Sequence, residues 1–162
     1  MARRRDAATP ALRVVEQAGV EHAVHAYPHD PAVASYGEEA ASALGVAARR
    51  VLKTLCVEAD GELCVAVVPV ADRLDLKAVA TALGAKRARM ADPERAQRVT
   101  GYVVGGIAPL GQRRRLRTVV ERRALEEATV FVSAGRRGLE IELPPAALVE
   151  LTDATTAALT RS

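Results

Sequence analysis

The dipeptide Asp60-Gly61 stands between two runs of apolar, largely β-branched residues, 51–57 and 62–70, and no other feature constrains this chain as much. The tightest hairpin turn needs positive φ at both central positions, which Asp-Gly supplies at little cost, so the two runs are expected to pair antiparallel. A two-residue turn sets Val57 opposite Cys64 and Cys56 opposite Val65. Neighbours on a strand point to opposite faces, so these two cysteines, the only ones in the chain, lie on different faces and cannot bond without a slip of register. The chain therefore has no disulfide framework.

The chain's 162 residues suffice for one well-buried core and are few for two ordinary domains, so a single domain over 1–162, with its core at about 11–151, is expected. Aromatic residues make up 2% of the sequence, which shifts core filling onto Val, Leu and Ala. The basic start at 2–5 is followed by Asp6 and by no apolar run long enough for a signal or a membrane span. A cytoplasmic protein with no membrane partner is expected.

Helix punctuation divides the rest of the chain. Thr9-Pro10 starts a helix with Leu12 and Val15 on its apolar face and Gly19 as its stop. A short strand over 21–27 follows. Ser35 and Glu38 have capping-box spacing, predicting a helix over 36–44 that ends at Gly45. Asp75 caps a helix carrying Leu76, Val79, Ala80 and Leu83, stopped by Gly84, and Asp92-Pro93 opens another that Gly101 ends. Strands are predicted at about 102–107, 117–120, 128–133 and 138–143, and a last helix opens at Pro144-Pro145. This order predicts an α/β fold built on a mixed, strongly curved sheet or partly closed barrel with flanking helices.

Two glycine-bearing loops, 105–111 and 133–138, flank an arginine-dense stretch. From Gly111 to Gly138, eight arginines stand against three glutamates. That segment carries an excess of five positive charges, while the whole chain carries +3. Glycine lets a backbone approach a ligand closely with its N–H free for an anion or a developing oxyanion, and the arginines set up a field that attracts phosphate. Arg113, Arg114, Arg115, Arg136 and Arg137 are the candidate RNA contacts. An arginine-rich surface arising from biased composition reads the same way.

Lys53 stands within the most hydrophobic strand, between Leu52 and Thr54. Its ammonium either snorkels from an edge strand to solvent or projects into a cavity to hold a phosphate, carboxylate or carbonyl oxygen. Gly105-Gly106 reads either as a bulge or turn or as a pair of N–H groups aimed at a ligand, and no Walker-type Lys-Ser or Lys-Thr follows Gly111. Ser133 lacks a Gly-x-Ser-x-Gly frame and suits hydrogen bonding better than attack. His22 and His25 face opposite sides of a strand, which disfavours zinc, and Cys56 has no adjacent base in sequence.

The linked motifs Lys53-Thr54-Leu55, Leu74-Asp75-Leu76-Lys77, Ala82-Leu83-Gly84-Ala85-Lys86, Thr100-Gly101-Tyr102, Gly105-Gly106-Ile107-x-Pro109-x-Gly111 and Val132-Ser133-Ala134-Gly135-Arg136-Arg137-Gly138-Leu139 resemble, in order and spacing, those of the YbaK family. This family contains free-standing relatives of the prolyl-tRNA synthetase editing domain. The resemblance spans about 11–151, and segments 25–31 and 35–41 are similar to its Cys-tRNA(Pro) deacylase branch.

The resemblance implies hydrolysis of a mischarged amino acid, cysteine first, from tRNA(Pro), on a mixed-sheet barrel that uses no metal or other cofactor. It implies that Lys53 fixes the 3′-terminal nucleotide or the ester and that Gly105, with Gly106 beside it, holds the carbonyl end through main-chain N–H groups. It also implies that Tyr27, Tyr36 and Ser133 line the aminoacyl pocket. Glu140 stands where the family often has Asp. No protein nucleophile is evident, and the branch is thought to use the substrate's own thiol. The implied partners are the acceptor end of an aminoacyl-tRNA and prolyl-tRNA synthetase, since a globule this small cannot reach an anticodon as well. Two rival readings are a deacylase for another small amino acid such as alanine and a catalytically silent RNA-binding module.

Overall fold

The computed structural model describes residues 9–33 and 35–161, so the arginines at 3–5 lie outside the described residues. Its centre is the expected hairpin. Strand β2 (Leu52–Ala59) pairs antiparallel with β3 (Glu62–Pro69), with Cys56 opposite Val65 and Val57 opposite Cys64. Asp60 and Gly61 have φ of 50° and 86°, the positive values that the turn requires. Both cysteines are free and buried.

The hairpin carries an almost continuous apolar run because both of its faces are covered. Leu63, Val65 and Val67 pack in one core with Leu12 and Val15 of α1 (Pro10–Ala18) and with Val132 and Ile141. Val57, Cys64, Ala66 and Val68 face the other way, onto Val79 and Leu83 of α3 (Leu76–Leu83). A third cluster joins Val51, Val70 and Phe131 to Ala40 and Ala41 of α2 (Tyr36–Leu44).

Among the described residues three sheets form in place of the expected barrel. The largest has the order β5-β2-β3-β6-β9, where β5 is Ala88–Met90, β6 is Thr118–Glu121 and β9 is Thr155–Ala157. A second has β8 (Leu139–Leu143) between β1 (Ala23–Ala26) and β7 (Val130–Arg136), all antiparallel. The third pairs β4 (Arg73–Leu74) with β10 (Thr160–Arg161). The two larger sheets meet at one isolated bridge, Val51 to Phe131, too little pairing to close a cylinder. Edge strands β5 and β9, of three residues each, leave the large sheet open.

Helix boundaries follow the punctuation. Thr9 accepts from Leu12 N–H, Asp75 from Lys77 and Ala78 N–H, and Asp92 from Arg95 N–H at the start of α4 (Pro93–Thr100). Helix α5 (Pro145–Thr152) follows Pro144. Ser35 departs from expectation, making no side-chain cap bond, and no capping box forms. Glu39, the residue after the expected box partner Glu38, is hydrogen-bonded to His29 Nδ1 and accepts from Asp30 N–H, both at 2.8 Å.

The strand expected at 102–107 is absent. No strand among the described residues pairs with this segment, and its polar groups are met locally, with Gln97 Oε1 accepting from Val104 N–H and Tyr102 Oη donating to Leu110 C=O. Strand β7 runs on to Arg136 through a bulge after Ser133, where Gly135 has φ 110°, so the connection to β8 is Arg137-Gly138 and not a four-residue loop. Among the described residues no helix is long and apolar enough to cross a membrane.

Candidate active site

Strand β5 pairs with β2 only across Val57–Ala59. Beyond Ala91, whose N–H donates to Cys56 C=O, the outer edge of β2 is paired with no strand among the described residues until the Val51 bridge. A cavity of about 410 Å3 lies along that open edge. It is lined by six residues singled out from the sequence: Tyr27, Tyr36, Lys53, Gly105, Ser133 and Glu140. Tyr27 follows β1, Tyr36 starts α2, and Ser133 and Glu140 face each other across β7 and β8.

Several polar groups of this cavity have no partner among the described residues. Lys53 makes no ion pair or hydrogen bond with any described residue, so its ammonium is not consumed structurally. Gly105 N–H has no acceptor among the described residues. Glu140 is 6% exposed, and burial pushes its carboxyl up to about 8, which leaves it neutral at pH 7 and able to donate a hydrogen bond. Ser133 Oγ accepts from Gly135 N–H at 3.2 Å and keeps its own proton free to donate.

No group in the cavity is set up as a nucleophile. Burial raises the Cys56 thiol to about 11, and burial, with the charges of Glu140 and Glu39, raises Tyr27 to about 12. Both stay protonated near neutrality. What the cavity offers is a cation, a neutral acid, a main-chain donor and hydroxyls, groups chemically able to hold an ester and to stabilise charge developing on a carbonyl oxygen.

The Gly105 turn is held over the cavity by a clasp that the sequence did not reveal. Val103 C=O accepts from Gly106 N–H at 2.8 Å, closing a turn in which Gly105 takes φ 88°. Arg137 donates from Nε at 2.9 Å and from Nη2 to Val104 C=O, and its guanidinium stacks 4.6 Å from the Tyr36 ring centroid. A Cβ on Gly105 would sit 2.7 Å from Arg137 Nε and 2.8 Å from the Tyr36 ring. Glycine is required here for close approach as well as for φ.

Gly106 plays a different part from the one expected. It is buried, does not line the cavity, and its N–H is engaged by Val103. A Cβ there would meet the Arg136 backbone at 2.8 Å, so this glycine lets the turn pack against the β7–β8 connection.

The arginines separate into two groups. Arg113, Arg114, Arg115 and Arg136 are exposed, line no part of the cavity and make no ion pair with a described residue. Arg137 is committed to the clasp, Arg117 to Leu83 C=O and Glu62, and Arg123 to Asp72 and Thr160. The histidines are likewise dispersed, His25 on Glu142 at 2.9 Å, His29 on Glu39 and His22 on Val20 C=O. Among the described residues no group of three or more His, Cys, Asp or Glu is placed to hold a metal ion.

Comparison with known proteins agrees with this picture. The family model described as the aminoacyl-tRNA editing domain matches residues 30–151. EbsC of Enterococcus faecalis, named for Cys-tRNA(Pro)/Cys-tRNA(Cys) deacylase activity, is 35% identical over 94% of this chain and 93% of its own length. The proline–tRNA ligase of Moorella thermoacetica is 40% identical over 42% of this chain but only 12% of its own. Among solved structures, one titled as a trans-editing enzyme for prolyl-tRNA synthetase superposes with a TM-score of 0.78 at 25% identity, covering 95% of this chain and 99% of that one. The hypothetical protein APE2540 superposes at 0.85 with 27% identity, covering 94% and 100%. The chain belongs to the aminoacyl-tRNA editing domain family, and its class of chemistry is that of an aminoacyl-tRNA deacylase.

Proposed function

We propose that this protein removes a mischarged small amino acid, cysteine first, from the 3′ end of tRNA(Pro). The observation that carries the reading is the convergence of unpartnered polar groups on a cavity without an activated nucleophile. Lys53 holds the ester or the terminal nucleotide by its charge, and Gly105 N–H faces the carbonyl oxygen where negative charge develops. Tyr27, Tyr36 and Ser133 bound the aminoacyl group, and Glu140, neutral at pH 7, donates a hydrogen bond within it.

A nucleophile is then supplied by the substrate. The cysteinyl sulfur attacks its own carbonyl carbon, the bond from that carbon to the ribose oxygen breaks, and the thiol proton ends on the ribose hydroxyl. Water then opens the resulting thiolactone to free cysteine. The protein contributes orientation, which for a well-held intramolecular reaction is a large part of the barrier.

Exposed Arg113, Arg114, Arg115 and Arg136 are placed in this reading on the tRNA backbone, outside the cavity. Selection of tRNA(Pro) falls to prolyl-tRNA synthetase as partner, and the work is done in the cytoplasm, where charged tRNA is used. The cavity weighs against a silent RNA-binding module, which has no use for an unpaired buried-edge lysine or a neutral acid. The test is release of amino acid from tRNA(Pro) carrying cysteine, alanine, serine or proline. Cysteine released fastest is expected; RNA binding with no release from any of the four refutes the reading, and fastest release of alanine moves the specificity to the rival substrate.

A further inference from the structure

Thr54 is the one buried side-chain polar group among the described residues with no hydrogen-bond partner, and it lies on the cavity. An orphaned hydroxyl is costly in a folded protein, and one at a ligand site is evidence of a partner that arrives with the ligand.

Strand alternation places it. Thr54 shares a face of β2 with Leu52 and Cys56, which belong to the core beneath α1. Lys53 shares the opposite face with Leu55 and Val57. Both line one cavity because the cavity wraps the unpaired edge of β2. On the Thr54 side the wall is formed by Leu52, Cys56, Ala91, Ala96 and Ile107. That side is small and apolar, with the Thr54 hydroxyl as its orphaned hydrogen-bonding group. The charge-handling groups Lys53 and Glu140 stand elsewhere in the cavity.

The main chain adds a second element. Val51 C=O accepts from Val70 N–H, and Cys56 C=O accepts from Ala91 N–H. Odd-numbered residues of β2 therefore turn their peptide groups toward β3, and even-numbered ones turn them outward. At Thr54 the outward edge is paired with no strand among the described residues, so its N–H and C=O are available for the part common to all aminoacyl groups, while its hydroxyl can read what differs.

We propose that Thr54 determines specificity: its hydroxyl, brought toward the cavity by rotation about χ1, hydrogen-bonds the polar terminus of a small side chain on the esterified amino acid, the thiol of cysteine or the hydroxyl of serine. This rests on the deacylase reading above. A polar site of this kind discriminates by what is left unpaired when the wrong substrate binds.

The experiment compares wild type, Thr54→Val and Thr54→Ser on tRNA(Pro) acylated with cysteine, serine, alanine and 2-aminobutyrate, the last having methyl where cysteine has its thiol. Thr54→Val keeps shape and main chain and removes the hydroxyl. It should lower kcat/KM for the cysteinyl and seryl esters about tenfold while leaving the alanyl and 2-aminobutyryl esters within about twofold, and Thr54→Ser should restore the difference. Because the hydroxyl is unpartnered in the free protein, Thr54→Val should also raise Tm by roughly 2–4 °C. Equal loss on all four esters, no loss on any, or a fall in Tm overturns the proposal. A wild type inactive on every ester removes the deacylase reading and this proposal together, a pattern distinct from the other three.

Discussion

Replacing Gly105 by alanine tests whether the turn over the cavity is a rigid part of the site. At φ 88° a Cβ costs about 1–2 kcal/mol from main-chain crowding alone. The added carbon also lies 2.8 Å from the Tyr36 ring and 2.7 Å from Arg137 Nε. Carbon–carbon contacts settle near ~3.7 Å, so the turn or the ring must retreat by about 1 Å. The ring is braced by His29, 5.8 Å away between centroids, and Arg137 is tied to Val104 C=O, so the turn is what gives. A displacement of about 1 Å at a positioning element costs on the order of 100-fold in rate. Strain and lost contacts together come to about 2–3 kcal/mol, a fall in Tm of roughly 4–12 °C. Single-turnover deacylation of Cys-tRNA(Pro) reads the first quantity and a melting curve the second. Gly84→Ala serves as control, since Gly84 also has positive φ, at 68°, but a Cβ there meets nothing within 4 Å and the site is not involved. It should lose stability and keep its rate. A Gly105→Ala protein with wild-type rate would refute both the rigidity of the turn and the use of its N–H.

Two further perturbations separate other parts of the account. Glu140 has a folded value near 8 against an ordinary 4.5, so its stabilising effect is complete below 4.5 and is lost as pH rises toward and through 8. The unfolding free energy of wild type relative to Glu140→Gln should therefore fall between pH 5 and pH 8, at up to about 1.4 kcal/mol per pH unit, with Tm following it, and level off above; a difference independent of pH would place the carboxylate in a charged, solvated state. Changing Arg113, Arg114 and Arg115 together to alanine should weaken tRNA binding and reduce the slope of log affinity against log salt by about 2, whereas an unchanged slope would remove these arginines from the RNA contact.

How far the sequence discloses the molecule depends on whether a signal is local. The β2–β3 register follows from Asp60-Gly61 because the turn alone sets it, and the helix ends follow from Thr9, Asp75, Asp92 and their closing glycines for the same reason. Tyr102-Val103-Val104 has strand composition and forms no strand, since the backbone packed against this segment does not run in register to pair with it. The curved barrel was overdrawn because alternation along strands does not say which edges meet. Lys53, Tyr27, Tyr36, Ser133 and Glu140 were recognisable as candidates from motifs, yet their convergence depends on the edge of β2 being left open by a short β5. For that reason the sequence assigns Thr54 no role beyond its place in the Lys53-Thr54-Leu55 motif. The sequence shows the charge of Arg137 and not its hold on Val104 and Tyr36.

The central claim is that an unpaired lysine on an open strand edge positions the ester for a reaction whose nucleophile the protein does not supply. Single-turnover hydrolysis of Cys-tRNA(Pro) by wild type and Lys53→Ala, with melting curves to confirm folding, tests it most directly. The account predicts rapid release by wild type, loss of most of that rate in the folded variant on the scale of removing one preorganised electrostatic contact, about 100-fold, and an unshifted Tm because Lys53 has no ion pair or hydrogen bond with a described residue. A folded Lys53→Ala protein that releases cysteine at the wild-type rate would contradict it.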